Sequence, residues 1–374
     1  MNDFAEQAAS WMHELAQDAL GVQVHGSEPM HGGGSSRVFR RMNTSGGSMV
    51  GSAGQDLAEV RAFLAYTAHF AARGIPVPRI LSADPERGLY LMDDLGGHTL
   101  ADKLRQWRAE PDNHPVILNA LHGVVRWLAA IQVRGGEGLD VTLCTEGPAM
   151  TAGVYRADLE VFFRHLSPHI AAGLTPDDWV RSDLDRLVEH LERLPTQHFC
   201  YRDFQARNIM WHRRPLPGPG NAQAPIPLET EGPVFLDYQS GRRGPLAYDL
   251  ASLLYSPDSG LDDHERQLLI HAYLAALDGE GVHLDHGEFL EGFYPIVLIR
   301  RLQALGAYVR IGTDGGKPEY LEKIAPALDT LQGLLGRNSH REGPLHESLK
   351  NLGLSALNRW LHRLAERPPA PNYA

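Results

Sequence analysis

The residues with the clearest chemical potential lie in one segment, Tyr201–Met210, with the sequence YRDFQARNIM. Asp203 and Asn208 are five positions apart, and an apolar run follows them. This spacing is typical of a catalytic loop for phosphoryl transfer, in which the carboxylate accepts a hydroxyl proton and the amide binds a metal ion. Because an Asp and an Asn at this spacing also occur together by chance, the prediction needs support from other segments.

A second carboxylate, Asp237, follows the hydrophobic run Val234–Leu236. An Asp at the end of a strand can face a cleft and bridge Mg²⁺ to phosphates. The simpler alternative is a strand-end Asp that caps a turn. Twelve residues later, Asp249 is expected to cap a helix. The segments thus predict catalysis by Asp203 and a magnesium site at Asn208 and Asp237.

A glycine-rich run precedes these segments and is formed by Gly32, Gly33, Gly34, Ser35 and Ser36. Glycines let backbone N–H groups approach phosphate oxygens without interference from a Cβ atom. Taken alone, the run also fits a flexible surface loop. Its position ahead of the two carboxylate segments, in the order a kinase presents these parts, favours a phosphate cradle.

The segments around the glycine run predict a small antiparallel sheet. A helix is expected over residues 3–20 and another over Asp56–Ala72. Strands are expected at the following positions: Val38–Phe39, Ser48–Val50, Ile80–Leu81 and Leu89–Met92. These elements predict a nucleotide-binding lobe over residues 1–95, with one helix accompanying the sheet.

Helical periodicity dominates from Leu100 onward. The long amphipathic runs are 116–132, 155–166, 177–193, 262–277, 287–310 and 318–336. Short strands near Asn208–Trp211 and Val234–Leu236 flank residues 213–233, a Pro/Gly-rich stretch expected to be a flexible inserted hairpin loop. The fold class is therefore α+β, a bilobal protein-kinase-like fold whose larger helical lobe covers residues 96–374.

Composition limits the partners. The formal net charge of −11 argues against a nucleic-acid partner, because affinity for a phosphate backbone depends on a surface rich in Lys and Arg. The first residues lack a signal-peptide pattern, and we expect that no stretch approaches the roughly 20 apolar residues needed to span a bilayer. We therefore expect a cytoplasmic protein, a monomer or weak homodimer, that acts on a small molecule.

The segments Tyr201–Met210, Asp237–Leu254 and Arg300–Tyr320 are similar to those of the aminoglycoside phosphotransferase/choline kinase superfamily. Within it, they most resemble bacterial anomeric sugar kinases that act on N-acetylmuramate and N-acetylglucosamine. The third segment is the most informative, because it lies outside the shared phosphotransfer machinery. The resemblance implies ATP and Mg²⁺ as cofactors and phosphorylation of the anomeric hydroxyl of a cell-wall sugar.

The chain departs from the kinase pattern at the phosphate-binding lysine, because no Lys precedes Lys103. Kinases usually place this Lys on the third strand. Arg37 and Arg40, which follow the glycine run, are the candidate substitutes. Strand alternation favours Arg40, provided that Val38 faces the nucleotide. Glu59 is either the carboxylate partner of such an arginine or an ordinary exposed helix residue.

The resemblance also implies binding positions for the nucleotide and the acceptor. Adenine would stack near Met92, and backbone groups around Asp94 would contact its edge. The acceptor candidates, expected near the catalytic loop and the C-terminal helices, are Asp158, Glu160, Arg207 and Arg301. For Asp158, Glu160 and Arg301, a surface ion pair is the alternative.

Two other functions stay open at this point. One keeps the chemistry and changes the acceptor to an aminoglycoside, choline, homoserine or methylthioribose. The other is a silent pseudokinase that serves as a binding module, which the missing lysine suggests. The joint presence of Asp203, Asn208 and Asp237 argues against the second, because a dead kinase has no physical reason to keep all three.

Overall fold

The structure is a computed structural model that describes residues 2–30, 37–165, 174–215, 229–336 and 343–366. The helices of the described chain are α1 (Asn2–Leu20), α2 (Leu57–Ala72), α3 (Leu100–Arg108), α4 (His114–Ala130), α5 (Ala152–His165), α6 (Asp178–Glu192), α7 (Ala247–Leu254), α8 (Asp263–Gly279), α9 (His286–Thr313), α10 (Ile324–Leu335), α11 (Pro344–Asn351) and α12 (Ser355–Ala365). The strands are β1 (Val24–Met30), β2 (Val38–Thr44), β3 (Gly47–Ala53), β4 (Ile80–Asp84), β5 (Leu89–Asp93), β6 (His198–Cys200), β7 (Ile209–Pro215), β8 (Glu229–Phe235) and β9 (Arg242–Gly244).

The chain divides into two compact units. The first comprises residues 1–148 and 201–242, and the second comprises residues 149–200 and 243–374. The boundary expected after residue 95 falls inside the first unit and stays a prediction. All of Asp203, Asn208 and Asp237 belong to the first unit, together with the N-terminal sheet.

The first unit is built on an antiparallel five-stranded sheet of order β1-β2-β3-β5-β4. One face of this sheet is covered by α1, through a core that includes Met12, Met42 and Leu91. The approach is close at Gly51, where an added Cβ atom would lie 2.7 Å from the Met12 sulfur. Because side chains alternate along a strand, the neighbours of these core residues face the opposite side.

The second unit is mainly helical and packs α5 closely against α9. A Cβ atom added at Gly306 would lie 2.6 Å from the Phe162 backbone, so only glycine allows this crossing. Asp249 lies in the first turn of α7 and is fully buried, whereas Leu246 occupies the N-cap. The expectation that Asp249 caps this helix is therefore wrong.

Most of the predicted elements are present, including the four N-terminal strands and both N-terminal helices. The insert prediction needs correction at its ends, because residues 213–215 and 229–233 pair within β7 and β8. The middle of the insert, residues 216–228, and the C-terminal residues 367–374 lie outside the described residues. The run 318–336 begins with a 3₁₀ segment, Pro318–Lys323, and only then continues as α10.

One helical stretch among the described residues, Pro111–Gly135, is long and apolar enough to cross a membrane. This corrects the expectation that no stretch approaches that length. More than half of its apolar window is buried inside the protein. Its turn at Gly135 contacts α2, where the His69 ring pairs with the Gly135 carbonyl at 2.9 Å. This burial is typical of a core helix.

Candidate active site

The catalytic-loop segment is tied to the chain that carries Asp237. The backbone N–H of Leu236 donates to the Asn208 carbonyl at 3.1 Å, and the Tyr201 hydroxyl donates to the Leu236 carbonyl. Within the loop, the Asn208 amide donates to the Asp203 backbone carbonyl at 2.9 Å. These bonds fix the two segments to each other, so that the three polar residues predicted from sequence lie in one cluster.

The Asp237 carboxylate is the centre of this cluster. Its Oδ1 atom accepts hydrogen bonds from Arg37 Nη2 at 3.0 Å and from Gln239 Nε2 at 3.0 Å. Its Oδ2 atom accepts one from Asn208 Nδ2 at 3.2 Å. The Asp237 side chain retains 37% of its surface exposure, so the carboxylate remains open to solvent on one side.

Arg37 supplies the positive charge in this cluster. Its side chain is only 6% exposed, and its guanidinium lies 3.8 Å from Glu59 and 3.4 Å from the Tyr90 hydroxyl. Burial by itself would lower the pKa of Arg37, but the neighbouring Tyr90, Asp237 and Glu59 raise it above its usual value. The guanidinium is therefore charged at any working pH.

Glu59 and Gln239 complete the cluster. Gln239 Nε2 donates to Glu59 Oε1 at 2.9 Å as well as to Asp237, so one amide links the two carboxylates. Glu59 therefore lies at the site and is not merely an exposed helix residue. Sequence reasoning missed Gln239, and the available signal was its position two residues after Asp237.

Two residues in the catalytic-loop and Asp237 segments have unusual backbone conformations. Among the described non-glycine residues, positive φ angles occur at Arg202, with 82°, and at Asp237, with 69°. Such conformations are uncommon for residues with a Cβ atom and persist where the surroundings impose them. One of them is Asp237 itself and the other directly precedes Asp203.

An aromatic cluster supports the polar groups from beneath. The Tyr238 ring stacks on Phe63 of α2 at 5.3 Å, and Phe63 stacks on Tyr90 of β5 at 4.9 Å. Tyr201 meets the Tyr238 ring edge-on at 5.9 Å, and the Tyr238 hydroxyl bonds with Thr67 at 2.5 Å. Packed rings allow little freedom, so they hold the catalytic-loop and Asp237 segments at a fixed position against α2 and β5.

Arg40 does not join this cluster, which corrects the sequence assignment. The prediction required Val38 to face the nucleotide, but Val38 packs with the core beneath α1. Arg40 shares that face and donates to the Ser27 hydroxyl at 3.1 Å and to the Ser27 carbonyl at 2.9 Å. Alternation along the chain instead directs Arg37 to the other face.

The Asp94 side chain is also engaged elsewhere. Arg41 donates to both of its carboxylate oxygens, at 2.7 and 3.1 Å, and Ser48 donates at 2.8 Å. The backbone N–H of Gly96 adds a fourth bond at 3.0 Å. Burial alone would raise the pKa of Asp94, but these hydrogen bonds lower it. The carboxylate is thus a structural ion-pair partner of Arg41.

Other nucleotide-site candidates lie nearby or outside the described chain. Met92 is buried on β5 and, two positions from Tyr90, faces the same side of the sheet. The residues Gly32–Ser36 lie outside the described residues, so the phosphate cradle stays a sequence prediction. Arg207 is exposed in the short 3₁₀ turn Ala206–Asn208 of the catalytic loop.

The remaining acceptor candidates belong to the second unit and differ in their surroundings. Glu160 is exposed and pairs with Arg164 at 3.8 Å one helical turn away, which is the surface ion pair weighed as the alternative. Asp158 is buried, with its carboxylate 3.5 Å from the Tyr248 hydroxyl. Arg301 is also buried. The surface-pair alternative therefore fails for Asp158 and Arg301.

The Asn208 and Asp237 side chains fit a magnesium ion. Mg²⁺ takes oxygen ligands, commonly one or two protein groups together with water and substrate phosphates. Asn208 uses its amide nitrogen for both bonds to protein, which leaves its carbonyl oxygen as the atom for a cation. The described residues contain no cluster of three or more His, Cys, Asp or Glu side chains. The donor set thus suits a phosphate-dependent metal ion and not a closed protein cage.

Comparison with known proteins agrees with this chemistry. N-acetylmuramate/N-acetylglucosamine kinase of Caulobacter vibrioides is 27% identical over 277 residues, which cover 71% of this chain and 68% of that protein. The kinase of the same name from Pseudomonas aeruginosa is 27% identical over 308 residues, which cover 80% and 81%.

Fold similarity covers nearly the whole chain. The crystal structure of a choline/ethanolamine kinase family protein from Mesorhizobium loti matches 95% of this chain and 99% of its own, with a TM-score of 0.56 and 11% identity. The fold is thus the kinase-like α+β fold. The family model described as the phosphotransferase enzyme family matches residues 27–283, which include most of the sheet, the catalytic loop and Asp237. The chain belongs to this phosphotransferase family and is a small-molecule kinase.

Proposed function

We propose that this kinase transfers the γ-phosphate of ATP, with Mg²⁺, to the anomeric hydroxyl of an amino sugar such as N-acetylmuramate or N-acetylglucosamine. The observation that carries the acceptor class is the similarity to two kinases of that name over more than two thirds of their lengths. The observation that carries the chemistry is the bonded cluster of Asp203, Asn208, Asp237 and Arg37.

Asp203 is proposed as the catalytic base. Its backbone carbonyl accepts a hydrogen bond from the Asn208 amide, which fixes the loop, and its carboxylate is the group proposed to act on the acceptor hydroxyl. As the sugar oxygen bonds to the γ-phosphorus, its O–H proton passes to the Asp203 carboxylate and ADP leaves. Positioning and charge stabilisation dominate such a transfer, because the protein forms no covalent bond to the phosphoryl group.

Asn208 and Asp237 are proposed to hold Mg²⁺. When bound, the ion neutralises phosphate charge and orients the nucleotide. Arg37 is proposed to supply the positive charge that a strand lysine supplies in other kinases, because it is the buried arginine bonded to Asp237 and close to Glu59. A guanidinium can contact two phosphate oxygens at once.

An acceptor panel tests this proposal. Release of ADP is measured with ATP and Mg²⁺ against free amino sugars, aminoglycosides, choline, homoserine and methylthioribose. We expect turnover with N-acetylmuramate or N-acetylglucosamine and at least 100-fold lower kcat/KM with choline and homoserine, since a site that pairs sugar hydroxyls discriminates strongly against molecules without a sugar ring. A preference for a cationic acceptor would contradict the proposed substrate class.

A further inference from the structure

Gln239 is a buried amide that joins two carboxylates of the candidate active site. The residue is 7% exposed. Its Nε2 atom donates to Glu59 Oε1 at 2.9 Å and to Asp237 Oδ1 at 3.0 Å, so that both N–H groups of the amide have a carboxylate as acceptor. All three residues belong to the first compact unit. The amide therefore connects α2, which carries Glu59, to the segment that carries Asp237.

The other end of the same amide indicates that the two carboxylates impose its orientation. Within the described part of the chain, Gln239 Oε1 is buried and has no hydrogen-bond partner. A buried acceptor without a donor costs stability, so it persists where another interaction requires it. A reversed amide would place this oxygen against the oxygens of Glu59 and Asp237 and would lose both hydrogen bonds. The orientation is thus the one in which Gln239 donates twice.

The two oxygens of Asp237 differ in the number of hydrogen bonds that they accept. Each oxygen of a carboxylate has about two lone-pair sites for donors or a cation. Oδ1 accepts bonds from Gln239 and from Arg37 Nη2, at 3.0 Å each, whereas Oδ2 accepts one from Asn208 Nδ2 at 3.2 Å. Among the described residues, the unused capacity of the carboxylate therefore lies on Oδ2, next to the other proposed metal ligand.

We propose that Gln239 is a positioning residue for the metal ion. Its amide, held by Glu59, occupies Oδ1 of Asp237 and so leaves Oδ2, together with the carbonyl oxygen of Asn208, for Mg²⁺. An amide suits this role because it donates hydrogen bonds without adding a positive charge that would oppose a hard cation. This inference rests on the proposed function and adds to it the residue that orients the metal ligand.

The first test compares Gln239→Met with Tyr66→Phe. Methionine keeps an unbranched side chain of similar length and removes the donors. Tyr66→Phe is the matched control, because it removes another hydrogen bond between α2 and the same segment, from the Tyr66 hydroxyl to the Gly241 carbonyl at 3.0 Å, and involves no carboxylate. Calorimetric titration measures the affinity for ADP with and without Mg²⁺, and a thermal scan measures Tm.

The two variants should differ in the gain in ADP affinity that Mg²⁺ provides. For Gln239→Met we expect this gain to fall about ten-fold or more, because hydrogen bonds to charged groups are among the stronger ones in proteins. ADP affinity without Mg²⁺ should change little. For Tyr66→Phe we expect a lower Tm and the wild-type gain, because a lost buried hydrogen bond weakens packing without releasing Asp237.

The second test asks whether Glu59 acts through Gln239. Glu59→Gln and Glu59→Met remove the same charge next to Arg37, but glutamine keeps an oxygen that can accept the bond from Gln239. Because the Glu59 side chain is 27% exposed, both variants are expected to fold. We expect the gain from Mg²⁺ to be about three-fold or more larger in Glu59→Gln than in Glu59→Met, as for one hydrogen bond. In the Gln239→Met background this difference should vanish.

The inference alone is overturned if Mg²⁺ strengthens ADP binding to the wild type and Gln239→Met keeps that gain. It is also overturned if Gln239→Met weakens ADP binding equally with and without Mg²⁺, which would indicate a general structural role, or if the two Glu59 variants show the same gain. Should Gln239→Met not fold, the Glu59 variants decide by themselves. If Mg²⁺ does not strengthen ADP binding to the wild type, the proposed metal site fails and the inference fails with it.

Discussion

The guanidinium of Arg37 lies 3.0 Å from the carboxylate of Asp237, although the two residues are 200 positions apart in the chain. Arg37 directly precedes β2, and Asp237 lies two residues after the end of β8. A permanent positive charge thus contacts the predicted metal ligand Asp237, and in the sequence it directly follows the predicted phosphate cradle.

Arg37→Ala is expected to raise KM for ATP or lower kcat by ten-fold or more, about 1.4 kcal/mol. The variant removes the buried charge next to Asp237 and leaves Glu59 without its cationic neighbour. Arg40→Ala is the matched control, because Arg40 bonds to Ser27 on the opposite face. Steady-state kinetics with varied ATP decide between them. Similar small effects in both variants would remove Arg37 from phosphate binding.

Asp203→Asn is expected to lower turnover by about 10²–10⁴-fold, which is typical for loss of a positioned general base. Nucleotide affinity should change little, because the backbone carbonyl of Asp203, not its side chain, holds Asn208. Turnover is followed by ADP release and affinity by calorimetric titration with ATP and Mg²⁺. A variant that keeps more than half of the wild-type rate would exclude Asp203 as the base.

Asp237→Asn is expected to abolish magnesium-dependent nucleotide binding or turnover. Asn tolerates the left-handed backbone that Asp237 adopts, with φ of 69°, so this change isolates the loss of charge. Asp237→Ala should show the same functional loss and a lower Tm, because alanine is strained in that conformation. Calorimetric titration with and without Mg²⁺ provides the measurement. Wild-type affinity and rate in Asp237→Asn would contradict the metal assignment.

Deletion of residues 216–228, with an Asn-Gly turn joining Pro215 to Glu229, is expected to leave activity within a few-fold. These two residues are already paired across β7 and β8, and a two-residue turn suits such a hairpin. Shortening a loop of this kind changes chain entropy little. Activity and Tm are compared with the full chain. Loss of activity at unchanged Tm would show that the insert takes part in function.

Four of the five strands of the N-terminal sheet and the catalytic-loop residues were predictable because their signals are local, whereas β1 was not predicted. Asp203 and Asn208 follow a fixed spacing, Asp237 ends a hydrophobic run, and the strands follow alternation and turn residues. The ends of the insert were misassigned because Gly232 and Pro233 argue against a strand. Both strands of a two-stranded hairpin are edges, however, and an edge strand tolerates proline.

Local sequence patterns could not decide whether Arg37 or Arg40 takes the place of the kinase lysine. Alternation tells which residues share a face, but the covered face depends on where α1 packs, which is a tertiary fact. The ion pair between Arg41 and Asp94 joins residues 53 positions apart, so it also depends on tertiary structure and could not be predicted from local patterns. The buried state of Arg301 depends on the packing of α9, which amphipathic periodicity does not specify to the single residue.

The central claim, phosphoryl transfer from ATP to an anomeric hydroxyl with Asp203 as base, is tested most directly by identifying the product. The wild-type protein and Asp203→Asn are incubated with ATP, Mg²⁺ and N-acetylmuramate or N-acetylglucosamine, and the products are analysed by ³¹P and ¹H NMR. We expect one sugar 1-phosphate per ADP with the wild type, recognised by coupling of phosphorus to the anomeric proton, and at least 100-fold less with the variant. Phosphate on another hydroxyl, or equal product from both proteins, would contradict the account.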